Sequence, residues 1–518
     1  MSLNSATDRR FDVIVLGSGI GGLTAALTVA TRGRRVLLLE AGKQFGGYLN
    51  PFQRRAYSFD PGLHYIGECG PTGAFTRILE SLGIADDVRF RELSPDGFDR
   101  IVFPGYEILM PKGADLYHQR LLADFPHERR GLETFFDLLR RMREAQPAIN
   151  AIRNVRSAIA ASRHVPFLLR YLRATFGELL DSVISDPLLK GVLSAQGGDI
   201  GLPPGKASAL LGLGLLNHYL DGAYFPIGGS RALRDAFIKG IEKKGGTALR
   251  NSSVTRILLD GGRVSGVRCK SGEEYSAPMV ISNADAVVTY RDLIGTANLP
   301  SSLRKKIRTT RHSIASMCLF VGTDLDLAKV GMTDANVWNY PSVDIDRAYA
   351  TILRGEMPSS DFFFLSSPSL KDPISGVKAP PGHNTLEFVT LAPFEPFARW
   401  EGTKTQKRGE DYDKLKREFE TRYITSIEKF VPGLRDRITI LELGTPLTNI
   451  TYAAAPYGSI YGPEQTPNQL GPFRYGTRGA IDGLYLCGSS VLGAGIVPCA
   501  VSGNMAGKMA VRDATSKH

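Results

Sequence analysis

The sequence predicts an α/β fold in which a parallel sheet, entered through a glycine turn, is interrupted by a discontinuous α+β lobe. Three observations predict it: a strand–glycine turn–helix–strand run over residues 13–40, a second glycine-rich strand–helix near the C-terminus, and a length of 518 residues, too long for a single core. The apolar run Val13-Ile14-Val15-Leu16 reads as a buried strand leading into Gly17-Ser18-Gly19-Ile20-Gly21-Gly22. A helix follows with Leu23, Ala26, Leu27 and Ala30 on one face, and Gly33 stops it. Val36-Leu37-Leu38-Leu39 is the second strand and ends at Glu40. In this context Gly17 permits the tight turn, Gly19 lets the backbone approach a pyrophosphate, and Gly22 lets helix and strand pack closely. The helix N-terminus offers free N–H groups to the phosphates. Glu40 accepts hydrogen bonds from a ribose, and its charge repels a 2′-phosphate. The unit is therefore a Rossmann-type dinucleotide-binding domain.

The text after that unit alternates between two lobes. Residues 11–74 form the first part of the nucleotide lobe, extended by Ala41-Gly42-Lys43-Gln44-Phe45-Gly46-Gly47 and Tyr57-Ser58-Phe59-Asp60-Pro61-Gly62. Residues 75–220 read as the mostly helical first part of the second lobe, with Phe135-Phe136-Asp137-Leu138-Leu139-Arg140-Arg141-Met142 as an example. The nucleotide lobe resumes over 221–299: Pro226-Ile227-Gly228-Gly229-Ser230 opens a helix, and short strands follow from Val254 to Ile281 as a meander. The second lobe takes 300–470, where Phe362-Phe363-Phe364-Leu365 and Leu386-Glu387-Phe388-Val389 suggest a sheet under the substrate. Residues 471–512 return to the nucleotide lobe. There Gly483-Leu484-Tyr485-Leu486-Cys487-Gly488 reads as a buried strand ending at a glycine. Gly493-Ala494-Gly495-Ile496 and a small-residue helix with Ala500, Gly503 and Gly507 follow.

The glycine pair after Glu40, together with the late strand and helix, resembles the glutathione-reductase-like FAD enzymes. That resemblance implies FAD as cofactor, with Gly17, Ser18, Gly19, Gly21, Gly22, Glu40, Ala41, Gly46, Gly47, Val254, Gly488, Gly495 and Ile496 binding it. Three further segments narrow the likeness: Phe59-Asp60-Pro61-Gly62-Leu63-His64-Tyr65-Ile66-Gly67, Pro226 to Ser230, and Thr445-Pro446-Leu447-Thr448-Asn449 with Ala455-Pro456-Tyr457-Gly458. They look like the retinol saturases. The related carotenoid isomerases and bacterial phytoene desaturases share the first glycine motif, the Pro-x-Gly-Gly segment and the C-terminal block. The likeness runs from about Phe11 to about Ala510. It implies action on carbon–carbon double bonds of a long apolar isoprenoid or polyene, a carotenoid or retinoid. Saturation is favoured over desaturation and cis–trans isomerisation.

A flavin carries hydride chemistry itself, so the protein must place a substrate bond against it and exclude water. No second glycine fingerprint of nicotinamide type occurs, so electrons enter from a redox partner, from docked NAD(P)H or from the substrate. Candidate catalytic residues are His64 and Tyr65, with Glu68 beside them, and Tyr457; packing or hydrogen-bonding scaffold is the competing role for each. Two readings from other classes compete with a polyene enzyme. A flavin amine oxidase would use a covalent-flavin cysteine or an aromatic cage by the C-terminal glycine motif, and Cys487 precedes Gly488. A non-catalytic isoprenoid carrier resembling the Rab GDP-dissociation inhibitors would lack a working flavin site, whereas Glu40, Gly46, Gly47 and Gly488 persist.

Composition sets further bounds. Hydrophobic content of 43% and charged content of 22% are those of an ordinary globular chain. Five scattered cysteines with no Cys-x-x-Cys pair fit thiols in a reducing compartment, so a cytoplasmic location is expected. Met1 to Arg10 has no apolar core of a targeting signal. Neither a metal-binding motif nor a nucleophilic-serine motif is present, so no metal is expected. The net charge of +11 raises nucleic acid as a partner, but the basic residues are dispersed and no recognition module is visible. From Ala145 to Gly177 there is no acidic residue, while Arg153, Arg156, Arg163, Arg170 and Arg173 sit among apolar residues. This stretch is expected to lie on an anionic membrane surface, peripherally on the inner face; a core helix pair with a solvated Arg face is the competing reading.

Overall fold

The computed structural model describes residues 9–150, 161–374 and 376–515. At its centre stands a five-stranded parallel sheet in the order Thr247–Leu249, Val36–Leu39, Val13–Leu16, Met279–Ser282, Leu484–Leu486. Three of these strands are continuous apolar runs, as expected where both faces of a parallel sheet are covered. Alternate side chains serve different cores: Val13 and Val15 pack towards the helices, and Ile14 and Leu16 pack towards an antiparallel meander. On the helical face, Ile20–Ala30 is buried at every residue and lies against the C-terminal helix Ile496–Thr515. Small residues set how closely the two approach. A Cβ on Gly503 would stand 2.1 Å from Gly21 O, and one on Gly507 would stand 2.8 Å from Thr28 Cβ.

The meander on the opposite face comprises Val254–Asp260, Arg263–Cys269 and Glu274–Ser276. It is shorter than the sequence suggests. Pro278 has no N–H to extend the ladder, and the fully buried run Met279–Ser282 pairs instead with Val13–Leu16 in the parallel sheet.

The second lobe is built on a seven-stranded sheet in the order Ile438–Gly444, Ala315–Thr323, Asn384–Ala392, Phe363–Ser366, Asn336–Asn339, Asp99–Phe103, Tyr106–Met110. Its pairs are antiparallel except Asn336–Asn339 with Asp99–Phe103. Met317, Leu319, Val321, Leu386 and Phe388 face a core shared with the helix Glu410–Ile427. Their neighbours Ser316, Cys318, Val389 and Leu391 face a cavity. The stretch 75–220, read from sequence as mostly helical, also contributes the strand Phe90–Glu92 and the hairpin Asp99–Phe103 and Tyr106–Met110. The Pro104-Gly105 turn, with Gly105 at φ +76°, joins two alternating segments there and is the local signal for the hairpin. Around them the helices Ala114–Asp124, Arg129–Asn150, Val165–Tyr171, Phe176–Asp181, Pro187–Ser194 and Ala209–Leu220 form a cap. Among the described residues no helix is long and apolar enough to cross a membrane.

Candidate active site

A cavity of about 1680 Å³ runs from the first glycine turn into the second lobe. Its nucleotide end is lined by Gly17, Ser18, Gly19, Gly21, Glu40, Ala41, Gly46, Gly47, Val254, Gly488, Gly495 and Ile496, all read from the sequence as cofactor residues. Gly22 stands behind them, where a Cβ would overlap Gly17 O at 1.9 Å. The glycines are required by close approach. Gly17 turns at φ +85°; a Cβ on Gly19 would sit 2.9 Å from Asn283 Nδ2, and one on Gly21 would sit 2.9 Å from Gly488 N. The early and late glycine turns are therefore in contact, with Asn283 wedged between them.

Glu40 ties this cradle together. Its Oε2 accepts from Ser18 N at 2.9 Å and from the Ser18 hydroxyl, its Oε1 accepts from Gly42 N at 2.7 Å, and Ser18 Oγ accepts from Gly46 N at 2.9 Å. Oε1 keeps a lone pair for a ribose hydroxyl. An open glycine cradle at a helix N-terminus, with a carboxylate at its far edge, fits the pyrophosphate and adenosine of FAD. Cys487 is buried, its Sγ 3.6 Å from Asn283 Oδ1, and burial pushes its thiol well above the ordinary range.

The Phe59–Gly62 turn carries the chain from the cradle into the second lobe. Asp60 is fully buried and pairs with the Lys378 ammonium; its Oδ1 accepts from Ser230 N at 3.1 Å, and its own N–H donates to Glu387 Oε1 at 2.7 Å. Two motifs far apart in sequence, Phe59–Gly62 and Pro226–Ser230, thus meet at one buried ion pair. Glycine suits position 229, whose φ of +68° strains other residues and where a Cβ would push the Lys378 ammonium off its place. The blocks Thr445–Asn449 and Ala455–Gly458 also meet, through Asn449 Nδ2 donating to Gly458 O at 3.1 Å.

The candidate catalytic residues separate in space. His64, Tyr65 and Glu68 line the cavity. His64 Nδ1 lies 2.8 Å from Glu387 Oε2, whose carboxyl burial pushes up, and Glu68 Oε1 lies 3.1 Å from His218 Nδ1. Tyr457 is 58% exposed, packs near Phe394 and His312, and is not brought to the cavity wall. Beyond the cradle the walls are aromatic. Tyr65 stacks on Tyr219 with centroids 4.3 Å apart, Phe364 lies edge-on to Trp338 at 4.7 Å, and Phe362 lies edge-on to Tyr340 at 5.4 Å.

Sequence reasoning missed a buried polar cluster in this wall. Asp99 Oδ1 accepts from Asn336 Nδ2 at 2.8 Å; its Oδ2 accepts from Gln196 Nε2 at 2.7 Å and from the Tyr65 hydroxyl at 3.1 Å. Tyr65 also reaches Asp199 Oδ2 at 3.3 Å, and Tyr219 donates to the same oxygen at 3.0 Å. Lys371 is fully buried, donating to His64 O at 2.8 Å, Ser366 Oγ at 2.7 Å and Asn336 Oδ1; burial pushes its ammonium down to about 8. The signal available in sequence was slight, an aspartate opening the alternating strand Asp99–Phe103 and a lysine ending the short serine-containing helix Pro368–Lys371.

Comparison with known proteins places the chain. The family model described as flavin containing amine oxidoreductase matches residues 20–506. An all-trans-retinol 13,14-reductase from Danio rerio is 30% identical over 484 residues, covering 89% of this chain and 79% of that protein. A chloroplastic prolycopene isomerase of an Oncidium hybrid cultivar is 28% identical over 516 residues, covering 96% of this chain and 83% of that protein. Among solved structures, the cyclohexylamine oxidase from Brevibacterium oxydans superposes with a TM-score of 0.60 at 16% identity, covering 97% of this chain and 99% of that one. These neighbours share the Rossmann-like nucleotide domain seen here, and FAD is the cofactor that the cradle and the family share. The chain belongs to the flavin-containing amine oxidoreductase family and is an FAD-dependent oxidoreductase.

Proposed function

We propose that this chain acts on a carbon–carbon double bond of a long apolar isoprenoid or polyene, a retinoid or carotenoid, and that it saturates the bond. The observation that carries this reading is the cavity, which continues from the FAD cradle into a chamber walled by Trp338, Phe362, Phe364, Tyr65 and Tyr219. Such walls bury a conjugated chain along its length. The named activities of the retinol reductase and prolycopene isomerase relatives support the same chemistry, and desaturation or isomerisation would use the same chamber. FAD bound in the cradle supplies hydride chemistry. The chain's residues orient the polyene, exclude water and manage protons, with His64 held by Glu387 and Tyr65 at the chamber wall as the residues proposed to act there. The source of electrons is NAD(P)H or a redox partner.

The route by which an apolar substrate arrives is proposed to be a membrane surface. The helix Val165–Tyr171 exposes Val165 at 44% and Leu169 at 64%, flanked by exposed Arg163, Arg170 and Arg173, while Leu172 at its end lines the cavity. Arg153 and Arg156 lie outside the described residues.

The test of the reaction is anaerobic mixing of dithionite-reduced holoprotein with all-trans-retinol or with lycopene isomers. Saturation returns the flavin to its oxidised absorbance at a rate set by the polyene. A flavin that stays reduced with every polyene contradicts the reading.

A further inference from the structure

The cluster around Asp199 holds more oxygen contacts than its phenols have protons. Three close O···O approaches meet there: Tyr65 to Asp99 at 3.1 Å, Tyr65 to Asp199 at 3.3 Å and Tyr219 to Asp199 at 3.0 Å. Tyr65 and Tyr219 supply one proton each. Two facing oxygens that share a single proton attract weakly, and a carboxyl proton in the third approach completes the set. Burial pushes both carboxyls up, and Asp99 has more donors to hold its charge. It collects donors from Asn336, Gln196 and Tyr65, and the buried Lys371 ammonium is held on the same Asn336. Asp199, with fewer donors and lining the cavity, is the better place for that proton.

Position supports a role in the chemistry. The turn carrying Asp199 is joined to the late glycine turn: Tyr461 donates to Gly198 O at 3.0 Å, and the neighbouring Gly462 abuts Ser489, where a Cβ would stand 2.6 Å from Oγ. Trp338, in the same cavity wall and 5% exposed, buries an indole N–H that has no partner among the described residues. The wall is thus shaped for a bound molecule.

We propose that Asp199 is the proton donor of the double-bond reduction. This rests on the saturation reading above. A polyene without a carbonyl has no oxygen on which to store negative charge, so protonation leads. The Asp199 O–H bond breaks, the π electrons form a new C–H bond, and the adjacent carbon becomes a delocalised cation against the aromatic walls. That carbon takes a hydride with its electron pair from the reduced cofactor, which ends oxidised. Asp199 is left as a carboxylate and is reprotonated from water through Tyr65 and Tyr219 after product leaves. An external reductant of the NAD(P)H class restores the cofactor.

The titratable groups that act on Asp199 are Asp99, His64 and His218, and the phenols are Tyr65, Tyr219, Tyr340, Tyr349 and Tyr461. Burial first, and then the charge of Asp99, push the Asp199 carboxyl up to about 6. The acid form is the working one, so the reduction rate falls as pH rises through that value.

The experiment uses FAD-loaded protein, reduced with dithionite and mixed anaerobically with all-trans-retinol. Asp199→Asn is expected to retain FAD and to bind retinol within about threefold of wild type, while its flavin reoxidation slows by about 100-fold or more. The fall in rate on the alkaline side should vanish from what remains, and Asp199→Glu, which keeps an acid, should recover part of the rate. Independently of turnover, the infrared carbonyl band of protonated carboxylic acid should have a component present at about pH 5 and lost at about pH 8, and Asp199→Asn should lack that component. An Asn variant with wild-type rate and pH profile, or with that band intact, overturns the assignment. A wild type that reduces no polyene yet shows the band, missing from Asp199→Asn, overturns the saturation reading and leaves the protonated Asp199 standing.

Discussion

Glu40 does two jobs with one carboxylate. The sequence marked it as a ribose acceptor from its place at the end of the second strand. The structure adds that it fastens Ser18 and Gly42, and through Ser18 it reaches Gly46, so it also shapes the loop that meets the pyrophosphate. Glu40→Gln is expected to leave the fold intact and to weaken FAD retention by about 1.5–3 kcal/mol, the worth of a charge-assisted hydrogen bond. Dialysis followed by flavin absorbance measures it, and unchanged occupancy would place the ribose elsewhere. Residues of this kind were legible because each job is local: turn, close approach and charge all fall within about thirty residues. Asp99, Asp199, Asn336 and Lys371 were not legible. Their chemistry exists only once strands of the second lobe align, and Asn336 faces Asp99 because the register pairs them. Tyr457 lies at the other end of the range: its ring is 58% exposed, while its chain neighbours Ala455 and Pro456 line the cavity.

At the scale of elements, strands and helices with strong signals were readable, and their partners were not. The run Val13–Leu16, the helix after it and the late strand Leu484–Leu486 declare themselves by unbroken apolar text and glycine. By contrast, the hairpin Asp99–Met110 lies in helical, charged surroundings, and Met279–Ser282 looks like the end of a meander until its pairing with Val13–Leu16 is seen. The meeting of Phe59–Gly62 with Pro226–Ser230 shows what holds such distant elements together. Asp60 is fully buried and Lys378 is 3% exposed. Asp60→Ala leaves a buried ammonium without its partner, which costs about 3–5 kcal/mol of stability. Adding Lys378→Met should restore much of that loss, because the second change removes the stranded charge. Urea unfolding of the two variants checks this, and strictly additive losses would show that the pair is not coupled.

For the whole molecule, the decisive feature is a cavity shared between an FAD cradle and an aromatic chamber, assembled from segments that the chain visits in turn. Its surroundings bear on how substrate arrives. If the helix Val165–Tyr171 rests on lipid, replacing Arg163, Arg170 and Arg173 with Gln should weaken binding to anionic liposomes by about 1 kcal/mol for each arginine near the surface. Wild-type binding should also fall with added salt. Equal sedimentation of wild type and variant would indicate a solvated face. The central claim concerns the reaction. Its most direct measurement is the mass of the polyene recovered after one anaerobic turnover of the reduced, FAD-loaded protein with all-trans-retinol. The account predicts a product heavier than the substrate by two hydrogens; a product of unchanged mass, or lighter by two hydrogens, would contradict saturation.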